Sequence, residues 1–273
     1  MFGLRQGDNN PPVLLLTGTI DSTVYNNVGN KIVDVNERLL QYESCIERYI
    51  KESPFTKIVF IENSGYSFDA KKFIAMAENC EIMGGGKKFE FISGTIKYDE
   101  IMKKGKSFGD AYLIYEALEK SSLLNEAEIF YKITGRIFLL NAYEIYKTRN
   151  RFRNEFIVYD DMGWCLTNIF KANITDYRNV LADIWKDCDE TTVNDIEIAF
   201  YKRLKCSEIE MGSFLTYPHF DGKMGATLRN YSGGKVERIV RNIMARFHCF
   251  FIRSRMQKVI KIYMKIRGIK GYK

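Results

Sequence analysis

The alternation of short, strand-length apolar runs with stretches of helical periodicity constrains this 273-residue chain more than any other feature. Val13-Leu-Leu-Leu16 has the pattern of a buried strand and ends in Thr17-Gly18-Thr19-Ile20-Asp21-Ser22, a loop of small polar residues. Residues 31 to 51 then set Val35, Leu39, Tyr42, Ile46, Tyr49 and Ile50 at helical spacing, with Glu37, Glu43, Glu47 and Lys51 largely off that face. Lys57-Ile-Val-Phe-Ile61 is the next strand and Glu62-Asn63-Ser64-Gly65 its turn. Strand, helix, strand in this order reads as a parallel βαβ unit. A loop that follows a buried strand is also where α/β proteins begin a nucleotide site, at the carboxyl edge of the sheet.

Further on, Asp69 to Asn79 reads as a short helix, Phe89-Glu-Phe-Ile92 as a third strand and Ser93-Gly94 as its exit. Lys103-Lys104-Gly105-Lys106-Ser107-Phe108-Gly109-Asp110 is a basic, glycine-containing loop before a helix with Ala111, Ile114, Tyr115 and Leu118 on one face. The free N–H groups of a helix start can take a phosphate. A solvated lysine turn has the same composition, and the spacing of a Walker motif is missing.

Glu128-Ile-Phe-Tyr-Lys132-Ile-Thr-Gly135-Arg136-Ile-Phe-Leu-Leu-Asn141 brackets two cations and a glycine with apolar residues, so it reads as a buried strand that enters a tight loop and emerges again. Lys132 and Arg136 are costly to bury unpaired, which points them from the strand end toward a phosphate-type ligand or into ion pairs with nearby acids. Glu155 to Tyr159 and Cys165 to Phe170 read as strands around Asp160-Asp161-Met-Gly163, and Asp176 to Trp185 and Thr191 to Leu204 as helices. Asp195 and Glu197 stand near the start of the last helix, where its dipole stabilises acids irrespective of function. Thr216 to Gly234 is a long glycine-rich loop of lid-like composition that carries His219, Lys223 and Arg229.

Charge is unevenly placed. From Lys235 to Lys273 there are twelve Lys or Arg and a single acid, Glu237, for a net +11, which leaves −4 on residues 1 to 234. Val236, Ile239, Val240, Ile243, Met244, Phe247, Phe250 and Phe251 form a helical stripe in this segment, continued by Met256, Val259, Ile260 and Tyr263. Such a basic amphipathic pattern fits either an anionic membrane surface or a helix packed on the core with a solvated face. Its aromatics lie on the apolar stripe rather than among the charges, which argues against a nucleic-acid partner. Six cysteines without a Cys-x-x-Cys spacing suit free thiols in a reducing cytoplasm. No signal-like leader and no apolar run of about 18 to 20 residues is present.

Leu15-Leu-Thr-Gly-Thr-Ile20, Arg38-Leu-Leu-Gln-Tyr42, Ile61-Glu-Asn-Ser-Gly-Tyr66, the Lys106 to Asp110 loop and above all Tyr131-Lys-Ile-Thr-Gly-Arg136 resemble, as an ordered set across residues 13 to 234, bacterial cell-surface polysaccharide glycosyltransferases of the capsular and lipopolysaccharide kind. The resemblance implies an α/β, GT-A-like fold over residues 1–234 with a mostly parallel central sheet flanked by helices; the charge and periodicity of 235–273 make that segment a basic amphipathic helical appendage. It implies transfer of a sugar from a nucleotide-sugar to a lipid-linked or oligosaccharide acceptor at the inner face of the membrane. Donor contacts are then expected from Thr17, Gly18, Thr19, Asn63, Ser64, Lys106, Gly109, Asp110, Lys132, Thr134, Gly135 and Arg136. Enzymes of this fold usually hold the diphosphate through a metal on Asp-x-Asp; here Lys132-Ile-Thr-Gly-Arg136 takes that place, so no metal cofactor is expected. Asp187-Cys-Asp189 has the Asp-x-Asp form but lies between expected helices. Glu197, with Asp195 as the second choice, is the expected base, and His219, Lys223 and Arg229 the closing contacts. A nucleic-acid-binding protein and a non-catalytic membrane scaffold are the competing classes.

Overall fold

The computed structural model describes residues 10–81, 85–159 and 163–223. Asp160, Asp161, Arg229 and the basic segment 235–273 lie outside the described residues.

Two parallel crossovers open the fold: β1 (Val13–Gly18), α1 (Val35–Glu52), β2 (Lys57–Glu62), α2 (Ala70–Glu78) and β3 (Lys88–Ser93). Next come α3 (Tyr98–Lys104), α4 (Lys106–Lys120), α5 (Ser122–Asn125) and β4 (Ile129–Thr134), which returns beside β1 in parallel, from Val13↔Phe130 to Thr17↔Thr134. After β5 (Phe138–Leu139) and α6 (Ala142–Lys147), β6 (Asn154–Tyr159) and β7 (Trp164–Asn173) form an antiparallel hairpin, and β7 is also antiparallel to β4. Four residues separate Tyr159 from Trp164, too few for a parallel crossover of a dozen or more. The remaining elements are α7 (Ile174–Val180), α8 (Ile196–Lys205), β8 (Met211–Gly212) and β9 (Phe220–Asp221). The large sheet has the order β3-β2-β1-β4-β7-β6-β8, a mostly parallel α/β arrangement as expected.

Alternation along the buried strands divides the core into two layers. Val13 and Leu15 of β1 and Phe130 of β4 pack with Ile114 of α4, Tyr177 of α7 and Phe200 of α8. Leu14, Leu16, Tyr131 and Ile133 pack on the opposite face with Ile46 of α1, Phe73 of α2 and Ile145 of α6. These strands are apolar on both faces because helices cover both, and each buried Leu or Ile contributes about 1.5 to 3 kcal/mol. Asp34 caps α1 by accepting from Glu37 N at 2.7 Å. At the other end of α1, buried Lys87 donates to the carbonyls of Tyr49 (3.1 Å) and Ser53 (2.7 Å), and burial lowers its amine pKa to about 8.

Several expected segments take another form. The 128 to 141 stretch does not re-enter the sheet: β5 pairs with β9 in a separate two-stranded sheet. Residues 103 to 110 are not a loop but the junction of α3 and α4, hinged at Gly105, whose φ of +94° suits glycine. The expected helix from Thr191 begins at Ile196, because Val193 is left-handed and Asp195 is the cap. The expected helix over 176 to 185 is α7 followed by a separate 3-10 turn, Ile184–Lys186. The start of the lid-like loop is packed, with Tyr217 and Phe220 buried in the core.

Between β6 and β7, Glu155 faces Lys171 at 3.0 Å with both side chains fully buried. The amine lies within ion-pair distance of the carboxylate and also donates to the carbonyl of Arg149 at 2.7 Å and to that of Phe152. Burial raises the Glu155 carboxyl to about 7 against the pull of Lys171. Lys171→Met is expected to destabilise the fold by about 3 to 5 kcal/mol at neutral pH and by less at acidic pH, where Glu155 is neutral. Adding Glu155→Gln should recover most of the loss. Urea unfolding of the two variants checks this, and a single variant within about 0.5 kcal/mol of wild type would refute it.

Candidate functional site

A cleft of about 370 Å³ opens where the carboxyl ends of β1 and β4 meet the amino end of β7. Parallel strands end on the same side, so loops far apart in sequence converge there. Its lining takes Thr17, Gly18 and Thr19 from β1 and its exit, Asn63 from after β2, and Lys106, Gly109 and Asp110 from the start of α4. Lys132, Thr134 and Arg136 come from β4 and its exit, and Glu197 from α8. Most of the residues singled out in the sequence are thus brought together.

The β1 exit is held from beneath. Arg38 of α1 is buried and its guanidinium donates to the carbonyls of Thr19, Ile20 (3.0 Å) and Ile32 (3.0 Å). Tyr42 places its hydroxyl 2.9 Å from the Thr19 N–H and its ring under both strand ends, where a side chain at Gly18 would meet it at 2.6 Å and one at Gly135 at 3.2 Å. Glu62, fully buried, accepts from Ile20 N (2.8 Å), Ser64 N (2.9 Å) and the Ser64 hydroxyl. Thr19 donates to Asn63 Oδ1 at 2.6 Å, which ties two of the expected donor contacts to each other.

Lys132 does not project from a strand end. It sits inside β4, buried, and its amine donates to the Thr167 carbonyl at 2.8 Å. Burial lowers its pKa, and the charges of Asp110 and Glu197 act the other way. Arg136 is 9% exposed; Nη1 donates to Gln41 at 3.1 Å, while Nε has no partner among the described residues. An unpaired buried guanidinium nitrogen is costly, and an anionic ligand would relieve it.

Thr167 and Glu197 line the cleft next to Lys132. Glu155 pairs with Lys171 but Ile157 pairs with Leu166, so a step of two residues on β6 faces a step of five on β7. The extra chain is a bulge around Thr167, of the kind that re-aims side chains beside active sites. From it the Thr167 hydroxyl donates to Glu197 Oε1 at 2.9 Å. Burial pushes the Glu197 carboxyl up to about 7, with the charge of Asp195 adding to the rise and the Thr167 hydroxyl opposing it. Asp195 itself is the α8 cap and accepts from Ile198 N at 2.9 Å.

Other expected contacts lie elsewhere. Ser64 faces Glu62 and accepts from Asp21 N at 3.0 Å, and neither His219 nor Lys223 is among the described lining residues. The start of α4 is already taken by an acid, because Ser107 donates to Glu190 through its N–H (3.0 Å) and hydroxyl (2.7 Å). Asp187 pairs with Arg203 at 2.7 Å and Asp189 caps a 3-10 turn, so the Asp-x-Asp between them is structural. At the end of β4, Thr134-Gly135-Arg136 offers no carboxylate and does not fit a divalent cation. Trp164, Thr167 and Asn168 also line the cleft without having been singled out, since in sequence they read as ordinary strand residues.

No protein-family model and no curated protein matches this chain. Among solved structures it is similar to an active-site mutant of LgtC, with 10% identity and a TM-score of 0.42 over 75% of this chain and 74% of that one. It is also similar to apo WbbM, a bifunctional glycosyltransferase, with 10% identity and a TM-score of 0.36 over 67% of this chain and 35% of that one. Similarities this low carry no argument about function, which is taken from the geometry of the cleft.

The Glu197 shift has a consequence for stability. A carboxyl raised from 4.5 to about 7 binds its proton more tightly in the folded state, so its contribution is full below 4.5 and is lost as pH rises through about 7. Glu197→Gln is therefore expected to gain stability relative to wild type between pH 5 and 8. Urea midpoints across that range measure it, and a difference that does not change with pH would contradict the assignment.

Proposed function

We propose that the chain is a glycosyltransferase of GT-A-like fold that moves a sugar from a nucleotide-sugar to a hydroxyl acceptor. One observation carries the reading: a cleft at the carboxyl edge of parallel strands gathers two cations, Lys132 and Arg136, and the Glu197 carboxyl, which burial pushes up to about 7. Its volume is in the range of small-molecule sites. For transfer with inversion, the acceptor oxygen forms a bond to the anomeric carbon while the bond from that carbon to the diphosphate oxygen breaks. The acceptor's proton passes to Glu197, and the negative charge that grows on the leaving diphosphate is met by Lys132 and Arg136. Two cations fixed before the reaction need no metal at that position, so transfer is proposed to be metal-independent. A near-neutral pKa suits a base at physiological pH.

In this reading the acceptor is a lipid-linked or oligosaccharide intermediate of cell-surface polysaccharide synthesis. The basic segment 235–273 would hold the enzyme against the anionic inner face of the membrane. Among the described residues no helix is long and apolar enough to cross a membrane.

A panel of nucleoside diphosphates and nucleotide-sugars is expected to raise the Tm of wild type, and to do so equally with a chelator present. Arg136→Gln should weaken that stabilisation. No shift from any member would remove the transferase reading, and a shift abolished by the chelator would remove the metal-free mechanism. With a stabilising donor in hand, kcat/KM should rise with pH through an apparent pKa near 7. Burial is the main cause of the Glu197 rise and the charge of Asp195 adds to it; Asp195→Asn keeps the helix cap but removes that added charge, so this limb should move to lower pH. An unmoved limb would take the base role from Glu197.

A further inference from the structure

Three groups on one wall of the cleft are left without a part in the clamp on the diphosphate. Trp164, the first residue of β7, is half-buried, lines the cleft and packs its ring 5.7 Å from Tyr159 across the hairpin. Asn168 lines the same wall, and its Oδ1 has no hydrogen-bond partner among the described residues. Glu197 completes the wall through its 2.9 Å bond from Thr167. Trp164 and Asn168 both belong to β7, as does Thr167, which holds Glu197, and all four residues line the same cleft.

The wall is chemically unlike the rest of the cleft. Lys132 and Arg136 offer only donors and positive charge. This side offers a large flat apolar face, an amide and a carboxyl. An aromatic face packs the C–H face of a pyranose, while an amide can give or accept a hydrogen bond according to a half-turn about its last torsion. A buried amide oxygen without a partner is costly, and a hydroxyl from a ligand would recover that cost. A ring that has one apolar face and hydroxyls on its rim satisfies all three groups at once.

We infer that Trp164, Asn168 and Glu197 form a saccharide subsite, in which the sugar ring lies on the indole of Trp164 and one of its hydroxyls bonds the Asn168 amide. This deepens the transferase reading of the same cleft and rests on it for the reaction. It makes the ligand beside Glu197 a sugar rather than a lipid or peptide hydroxyl. Asn168 discriminates among sugars by the hydroxyl it meets, because a site built to bond a hydroxyl rejects an analogue that lacks it.

The chain has two tryptophans, so Trp185→Phe leaves Trp164 as the sole indole reporter. The full-length variant is titrated with a panel of methyl hexosides and methyl N-acetylhexosaminides while tryptophan emission is followed. At least one is expected to change Trp164 emission in a saturable way, and Asn168→Ala in the same background to weaken that binding about tenfold. Trp164→Phe, which retains Trp185, should show no response; compared with wild type, it reads the same effect if Trp185→Phe fails to fold. No saturable change with any sugar overturns the subsite. Unchanged affinity in Asn168→Ala overturns the role of the amide. Nucleoside diphosphates, titrated in parallel, separate the two ideas. Their binding without a sugar response keeps the donor reading and removes the saccharide wall. A sugar response without nucleotide binding does the reverse.

Discussion

The buried ammonium of Lys132 is the interaction on which the centre of this molecule depends. A cation inside a sheet strand carries a large desolvation cost, and the fold answers it with the Thr167 carbonyl at 2.8 Å and with the nearby charges of Asp110 and Glu197. That answer comes from Thr167, which lies in the bulged stretch of β7. It also requires α8 to lie where Glu197 can receive the Thr167 hydroxyl. Strand, bulge and helix are thus tied together by one charge.

The same arrangement sets the chemistry of the cleft. Thr167 bonds the cation through its carbonyl and the acid through its hydroxyl, so neither group is placed independently of the other. Glu197 is raised to about 7 because it is buried beside Asp195, and the Thr167 hydroxyl keeps it from rising further. On the opposite side, Arg38, Tyr42 and Glu62 hold the backbone of the β1 exit in place before any ligand arrives. Groups positioned in advance need little reorganisation when charge develops. A site built this way is stiff along the β1 exit, where most polar groups already have partners.

Much of the architecture was legible in the sequence because it depends on local periodicity. The apolar runs at Val13, Lys57 and Phe89 and the helical stripe over 31 to 51 gave β1, β2, β3 and α1, and their order implied the parallel sheet. The convergence of the loops after β1, β2 and β4 followed from that order. Less legible were features that depend on a single residue's backbone. Gly105 turned an expected basic loop into a helix junction, and Glu190 filled the helix start that had been expected to take a phosphate. Ser64 was read as a donor contact but faces inward, because the buried carboxylate of Glu62, two residues away, accepts its hydroxyl, and a single side-chain bond leaves no periodic mark.

By itself the sequence determined the α/β class, the parallel core and the presence of two cations too costly to bury without partners. Each of these follows from composition and spacing within one segment. Only the tertiary structure decided that Lys132 is bonded inside the sheet, that Asp195 is a cap while Glu197 faces the cleft, and that Trp164, Thr167 and Asn168 belong to the site. The reason is physical: burial, hydrogen-bond partners and the register of β7 against β6 are set by residues distant in the chain, and a bulge leaves no periodic mark in the strand that contains it.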